Sequence, residues 1–207
     1  MNLNWADFPY EIHLTLPIED DELDDLQRVV SKFDNTKLIL LDLYRQGKTT
    51  QQVTTSTYVP AGIDHREVMK RLVQHMHNHA FLVNRIKMET VPWHPYAESA
   101  DGSLFRRKKV YFETHYKWLI PTTELEKFRN SFLPGNSIRL SRNTLKHEVA
   151  GETSIMGTVR TFDRTFKAHT DMLEYEEMFF AKPYVKKISE FAFFDTNRSL
   201  DTQWLRA

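Results

Sequence analysis

The sequence predicts an α+β fold built as a tandem duplication of a ferredoxin-like βαββαβ unit, with antiparallel-rich sheets, helices on one face and a bilobal shape. Three observations predict it. Two strands about a hundred residues apart read almost alike, Tyr10-Glu11-Ile12-His13-Leu14-Thr15-Leu16-Pro17 and Phe112-Glu113-Thr114-His115-Tyr116-Lys117-Trp118-Leu119-Ile120-Pro121. Each alternates polar and apolar residues, which in a strand puts Glu, His and then Thr or Lys on one face. After each, the periodicity runs helix, strand, strand, helix, strand, so one bilobal domain over 1–207 contains repeats at 8–92 and 108–196.

In the first repeat, Glu19-Asp20-Asp21-Glu22 with Asp24 and Asp25 opens a segment whose apolar residues fall at Leu23, Leu26, Val29, Val30 and Phe33. That spacing predicts a helix with one buried stripe, and the acidic cluster suits the positive end of its dipole. A calcium loop would need a Gly and a closing Glu that the cluster lacks. Lys37 to Tyr44 and Gln51 to Val59 predict a hairpin around Gln46-Gly47-Lys48. Asp64-His65-Arg66-Glu67 predicts a capped helix start before Val68, Met69, Leu72, Val73 and Met76, and Val83 to Val91 alternates as a strand.

Trp93 to Ser103 reads as a turn-rich connection, followed by Arg106-Arg107-Lys108-Lys109. In the second repeat Thr123-x-x-Glu126 suggests a capping box before Leu125, Phe128 and Phe132, and Pro134-Gly135-Asn136 a turn. Strands are expected from Ser137 to Arg142 and Thr153 to Phe162, a helix over Phe166 to Ala181, a last strand over Tyr184 to Asp195, and a docking tail over Leu200 to Leu205.

The totals bound the function. With 207 residues, 41% hydrophobic, the chain can bury an ordinary core, and Lys plus Arg (28) equals Asp plus Glu (28), so no global basic field argues for nucleic acid or membrane. The absence of cysteine excludes disulfides, thiolate metal sites and a cysteine nucleophile, which favours a cytoplasmic location. No secretory signal or membrane-length apolar run is present. Phosphate-binding, dinucleotide, nucleophile-elbow and zinc-helix motifs are missing as well.

The candidate chemistry lies in the paired strands. Tyr10, Ile12, Leu14 and Leu16 should pack under helices, leaving Glu11, His13 and Thr15 on the other face, with Glu113, His115 and Lys117 matching them. If the two faces meet, His13 and His115 oppose each other across a cleft, with Arg85, Lys87, Arg139 and Arg160 adding positive charge. Two imidazoles can act as acid and base on a phosphodiester while cations hold the nonbridging oxygens, and no metal or other cofactor is needed. His13-Leu14-Thr15 and its counterpart resemble the paired motifs of the two-histidine phosphoesterase superfamily, which includes 2′,3′-cyclic phosphodiesterases and 2′,5′-RNA ligase-like proteins. The resemblance implies a metal-independent phosphodiesterase, with His13 and His115 catalytic and Thr15, Lys117, Glu11, Glu113, Arg85, Lys87, Arg139 and Arg160 binding a phosphate-containing small molecule or RNA end. Lys117 stands where that family carries a hydroxyl. The alternative is a non-catalytic module binding an anionic ligand, nucleic acid or protein. His75, His77 and His79 more simply favour a helix C-terminus than a metal, and Phe162, Phe166, Phe179, Phe180, Phe191, Phe193 and Phe194 read as core.

Overall fold

In the computed structural model, residues 4–45, 48–107, 109–132, 137–145, 151–163, 165–198 and 200 are described. The turns expected at Gly47 and Pro134-Gly135-Asn136, the tail beyond Leu200, Lys108 and His147 lie outside them.

Alternation organises the first half. In β1 (Tyr10–Leu16), Tyr10, Ile12, Leu14 and Leu16 are buried on one face, while Glu11 and His13 stay partly accessible on the other. The apolar face is covered by α1 (Leu23–Val30) and α2 (His65–Asn78), whose Leu26, Val29, Leu72 and Met76 join it in one core. The acidic cluster is the start of α1: a 3-10 turn over Asp20–Glu22 leads into it, and Glu19 and Glu22 form a reciprocal capping box. Asp64 caps α2 by accepting from the Arg66 and Glu67 amides. β2 (Thr36–Arg45), β3 (Lys48–Val59) and β4 (Arg85–Thr90) complete this half.

The connection expected to be turn-rich holds two short helices, α3 (Pro95–Ser99) and α4 (Gly102–Arg106). The second half follows as β5 (Tyr111–Pro121), α5 (Leu125–Asn130), β6 (Arg139–Asn143), β7 (Glu152–Thr161), α6 (Phe166–Glu177) and β8 (Lys186–Asp195). Tyr116, Trp118 and Ile120 of β5 pack on Phe128 of α5 and Leu173 of α6. The expected capping box at Thr123 is absent; a 3-10 turn over Thr122–Glu124 leads into α5 without a side-chain cap.

The eight strands form one closed antiparallel barrel in the order β1-β3-β2-β6-β7-β5-β8-β4. Two seams close it. At one, Leu41, Asp42 and Leu43 of β2 pair with Asn143, Arg142 and Ser141 of β6. At the other, Lys87 pairs with Asp195 and Thr90 with Phe191, with a register shift between Met88 and Glu89. This corrects the expected fold class. Two open sheets, each with helices on one face and arranged as two lobes, would leave four bare strand edges; joining the sheets edge to edge satisfies those backbone groups and encloses a lumen in place of an open cleft.

Candidate functional site

Because registered partners share a face, pairing identifies what points into the lumen. Glu11 lies across from Glu89, His13 from Lys87 and Thr15 from Arg85 on β4, and His13 from Ser56 on β3. In the second half Glu113 lies between Arg160 and Glu190, and His115 between Thr158 and Ile188. Each half therefore sets one histidine beside two glutamates, one from its own strand and one from a neighbouring strand. His13 Nε2 is 3.0 Å from Glu89 Oε2 and 3.7 Å from Glu11 Oε1. His115 Nε2 is 3.1 Å from Glu113 Oε1 and 3.4 Å from Glu190 Oε2.

Other bonds orient these rings. His13 donates through Nδ1 to the Thr55 carbonyl at 3.2 Å, and His115 Nδ1 is 3.0 Å from the Thr158 hydroxyl. Ser56 donates to Glu11. Lys87 joins the halves, with Nζ 2.9 Å from Glu89 Oε1 and 3.3 Å from Glu113 Oε1, while Arg160 Nε donates to Glu113 Oε2 at 2.7 Å. Arg85 grips Asp195 through two bonds of 2.8 and 2.6 Å, and Tyr111 donates to the same carboxylate. The histidines do not face each other bare: Glu89, Lys87 and Glu113 lie between them.

Burial and charge compete at each group. Burial disfavours the charged forms of Glu89 and Glu113, but Lys87 beside the first, and Arg160 and Lys87 beside the second, hold both carboxyls below their usual range. Burial would lower His115, yet hydrogen bonding to Glu113 and Glu190 pushes it up to about 10. Glu190 is raised, first by burial and then by the Glu89 charge. Glu89 has no exposed surface, and neither carboxylate oxygen has a partner in hydrogen-bond geometry, despite the adjacent Lys87 and His13.

The structure brings His13, His115, Glu11, Glu113, Lys87 and Arg160 into this cluster, and places Arg85 beside it on Asp195. Thr15 lies apart, two residues along β1 from His13, accepting from the Gln52 side-chain amide at 3.1 Å. Lys117 lies the other way, in register with Met156 and Lys186, and Arg139 pairs in register with Thr158, its Nη1 donating to the Ile138 carbonyl. Sequence reasoning missed Glu89, Glu190 and Asp195. Glu89 continues the alternation of Arg85 and Lys87 and was findable from it; Glu190 needed the β5–β8 register. His75 Nε2 and His79 Nδ1 bond to the Val29 and His75 carbonyls, which occupies those nitrogens structurally. Of the aromatics expected in the core, Phe191 is fully buried, whereas Phe179 and Phe194 are exposed.

Where β1 and β2 end and β3 begins, the barrel has a mouth: a cavity of about 800 Å³ lined by Thr15, Gln52, Thr50, Leu43 and Asn84, with Glu19, Asp20 and Asp21 at its rim. Among the described residues, every charged group of this lining is acidic.

The phosphodiesterase expectation is corrected by this arrangement. Of the cations that were to hold phosphate, Arg85, Lys87 and Arg160 are engaged with carboxylates, and four glutamates surround the two imidazoles, so an anionic phosphodiester or RNA end meets repulsion where attraction was expected. The same repulsion removes the phosphate-containing partner at this site. No protein-family model matches the chain, and no curated protein matches its sequence. Among solved structures, the siroheme decarboxylase NirDL in complex with an iron-uroporphyrin III analogue is 11% identical over 90% of this chain and 72% of its own, with a TM-score of 0.29. A mutant chlorite dismutase from Candidatus Nitrospira defluvii is 9% identical over 95% of this chain and 94% of its own, with a TM-score of 0.28. These similarities offer the two-histidine phosphoesterase resemblance no support, and at such low scores they carry no argument about what this chain binds. Among the described residues no helix is long and apolar enough to cross a membrane.

Proposed function

We propose that the chain binds a small organic cation through the mouth of its barrel and presents it to His13, His115 and the glutamates of the lumen. The observation that carries this reading is the mouth cavity, whose charged lining among the described residues is acidic and whose hydrogen-bonding lining includes Thr15, Thr50, Gln52 and Asn84. Such a lining pairs with an ammonium and with donor or acceptor groups beside it, and it excludes anions. Thr15 belongs to the mouth, where its hydroxyl and Gln52 position the guest, while the two histidines are the reactive groups that the guest meets further along the same strand faces. A molecule of this class is held by carboxylates that pair with its charge.

The test uses 1,4-diaminobutane and inorganic phosphate as probes in titration calorimetry. Saturable binding of the diamine is expected, with no heat from phosphate. Thr15→Phe, which fills the mouth, should weaken diamine binding at least about tenfold, a loss of about 1.4 kcal/mol, with the circular dichroism of the fold retained. Phosphate binding at similar strength, or diamine binding indifferent to Thr15→Phe, contradicts the proposal.

A further inference from the structure

Within the lumen, a second kind of cation is implied by the donor atoms themselves. We infer that Glu11, His13, Glu89, Glu113, His115 and Glu190 form a binding centre for divalent transition-metal ions of the class that takes carboxylate and imidazole ligands, such as zinc, manganese or iron. The inference depends on the proposed function only in placing the centre in the lumen, and stands or falls on separate measurements.

Chemistry and spacing carry it together. The six residues offer oxygen and imidazole nitrogen, the donor set suited to these ions. Two ligand atoms bound to one such ion at ordinary bond lengths lie about 3.0 to 3.4 Å apart in octahedral or tetrahedral arrangements. The separations of His13 Nε2 from Glu89 (3.0 Å) and of His115 Nε2 from Glu113 (3.1 Å) and Glu190 (3.4 Å) fall in that range, whereas Glu11, 3.7 Å from His13 Nε2, stands just outside it. One ligand atom each from Glu89, Glu113 and His115 lies within 4.8 Å of the other two, so the centre spans both halves.

Orientation points the same way. His13 gives its Nδ1 proton to the Thr55 carbonyl, which fixes the ring and aims Nε2 at the glutamates. That outer bond is how metal-ligating histidines are held. A buried carboxylate without an aligned donor is costly, and Glu89 is in that state.

Charge completes the argument. Lys87 is in ion-pair contact with Glu89 and Glu113, and Arg160 with Glu113. Lys87 stands between Glu89 and Glu113 on a flexible stem, as a resident counter-ion that an incoming metal displaces.

The competing reading is a salt network complete in itself, and a direct titration separates the two. Chelator-treated wild-type protein is titrated with Zn²⁺ and with Co²⁺, following heat, metal retained after desalting, and the visible absorption of Co²⁺. The expected result is one or two ions per chain with a low-symmetry Co²⁺ spectrum. Glu89→Gln and His115→Gln should each weaken binding about 10- to 100-fold, while Glu124→Gln on the exposed surface leaves it unchanged. Failure of the folded wild-type chain to retain either ion overturns the inference by itself, as does equal binding by the Glu89 and His115 variants. Diamine binding measured in chelator is independent of these outcomes, so failure of the metal centre and failure of the proposed function are read separately.

Discussion

His94 shows how a single buried imidazole couples acidity to stability. Its Nδ1 accepts the Tyr96 amide at 3.1 Å, capping α3, and its Nε2 lies 3.2 Å from the Tyr10 hydroxyl, which itself donates to the Trp5 carbonyl. Nδ1 must therefore keep its lone pair, and the proton sits on Nε2. Burial, helped by the neighbouring His65 charge, lowers the folded-state pKa to about 4, against about 6.5 in an unfolded chain. Below the higher value the unfolded chain takes up a proton that the folded one refuses. The stability from neutral His94 is thus fully present above about pH 6.5 and is lost as pH falls toward 4. Chemical denaturation at several pH values should show this loss, and His94→Gln should flatten the slope in that window. Part of the slope remains in the variant, because burial also lowers His169, held between the Thr114 and Thr161 hydroxyls, to about 4. An unchanged slope contradicts the account. None of this was legible in the sequence, where His94 and His169 are lone polar letters among aromatics; their meaning comes from partners far away in the chain.

Elements were legible where periodicity is long. Strand alternation located β1, β4 and β5 and put the apolar residues of β1 under helices, and the apolar stripes located α1, α2 and α6 to within a few residues at each end. The five-residue helices α3 and α4 are too short to show a period, so they read as turns. A different constraint acts on β7. A Cβ on Gly157 would come within 2.6 Å of Ile138 and of the Trp118 ring, so the side chains of the second-half core press directly on this backbone. Gly157→Ala is expected to destabilise the fold by about 1–3 kcal/mol, because neighbours in a packed core must move. Equilibrium denaturation measures this directly, and an unchanged midpoint would show that Trp118 and Ile138 yield at no cost.

At the scale of the whole molecule, the decisive feature is closure. Local periodicity reports which face of a strand is apolar, but it carries no information on which edge strand joins which. The two seams, β2 with β6 and β4 with β8, were therefore invisible in the sequence. Closure changes the chemistry: faces expected to line an open cationic cleft become the walls of a lumen where Glu89 and Glu190 add negative charge, and where Lys87, Arg85 and Arg160 are drawn into ion pairs. The pairing of Glu, Glu and His in each half is thus a product of the barrel, although Glu11, His13, Glu113 and His115 stood out from the start. The central claim is that both histidines look into one lumen that admits a cation. Imidazole NMR signals of His13 and His115, assigned with His13→Gln and His115→Gln, test it most directly during titration with 1,4-diaminobutane and, separately, inorganic phosphate. The account predicts that both signals shift together with the diamine and stay fixed with phosphate; signals that ignore the diamine, or that follow phosphate, would contradict it.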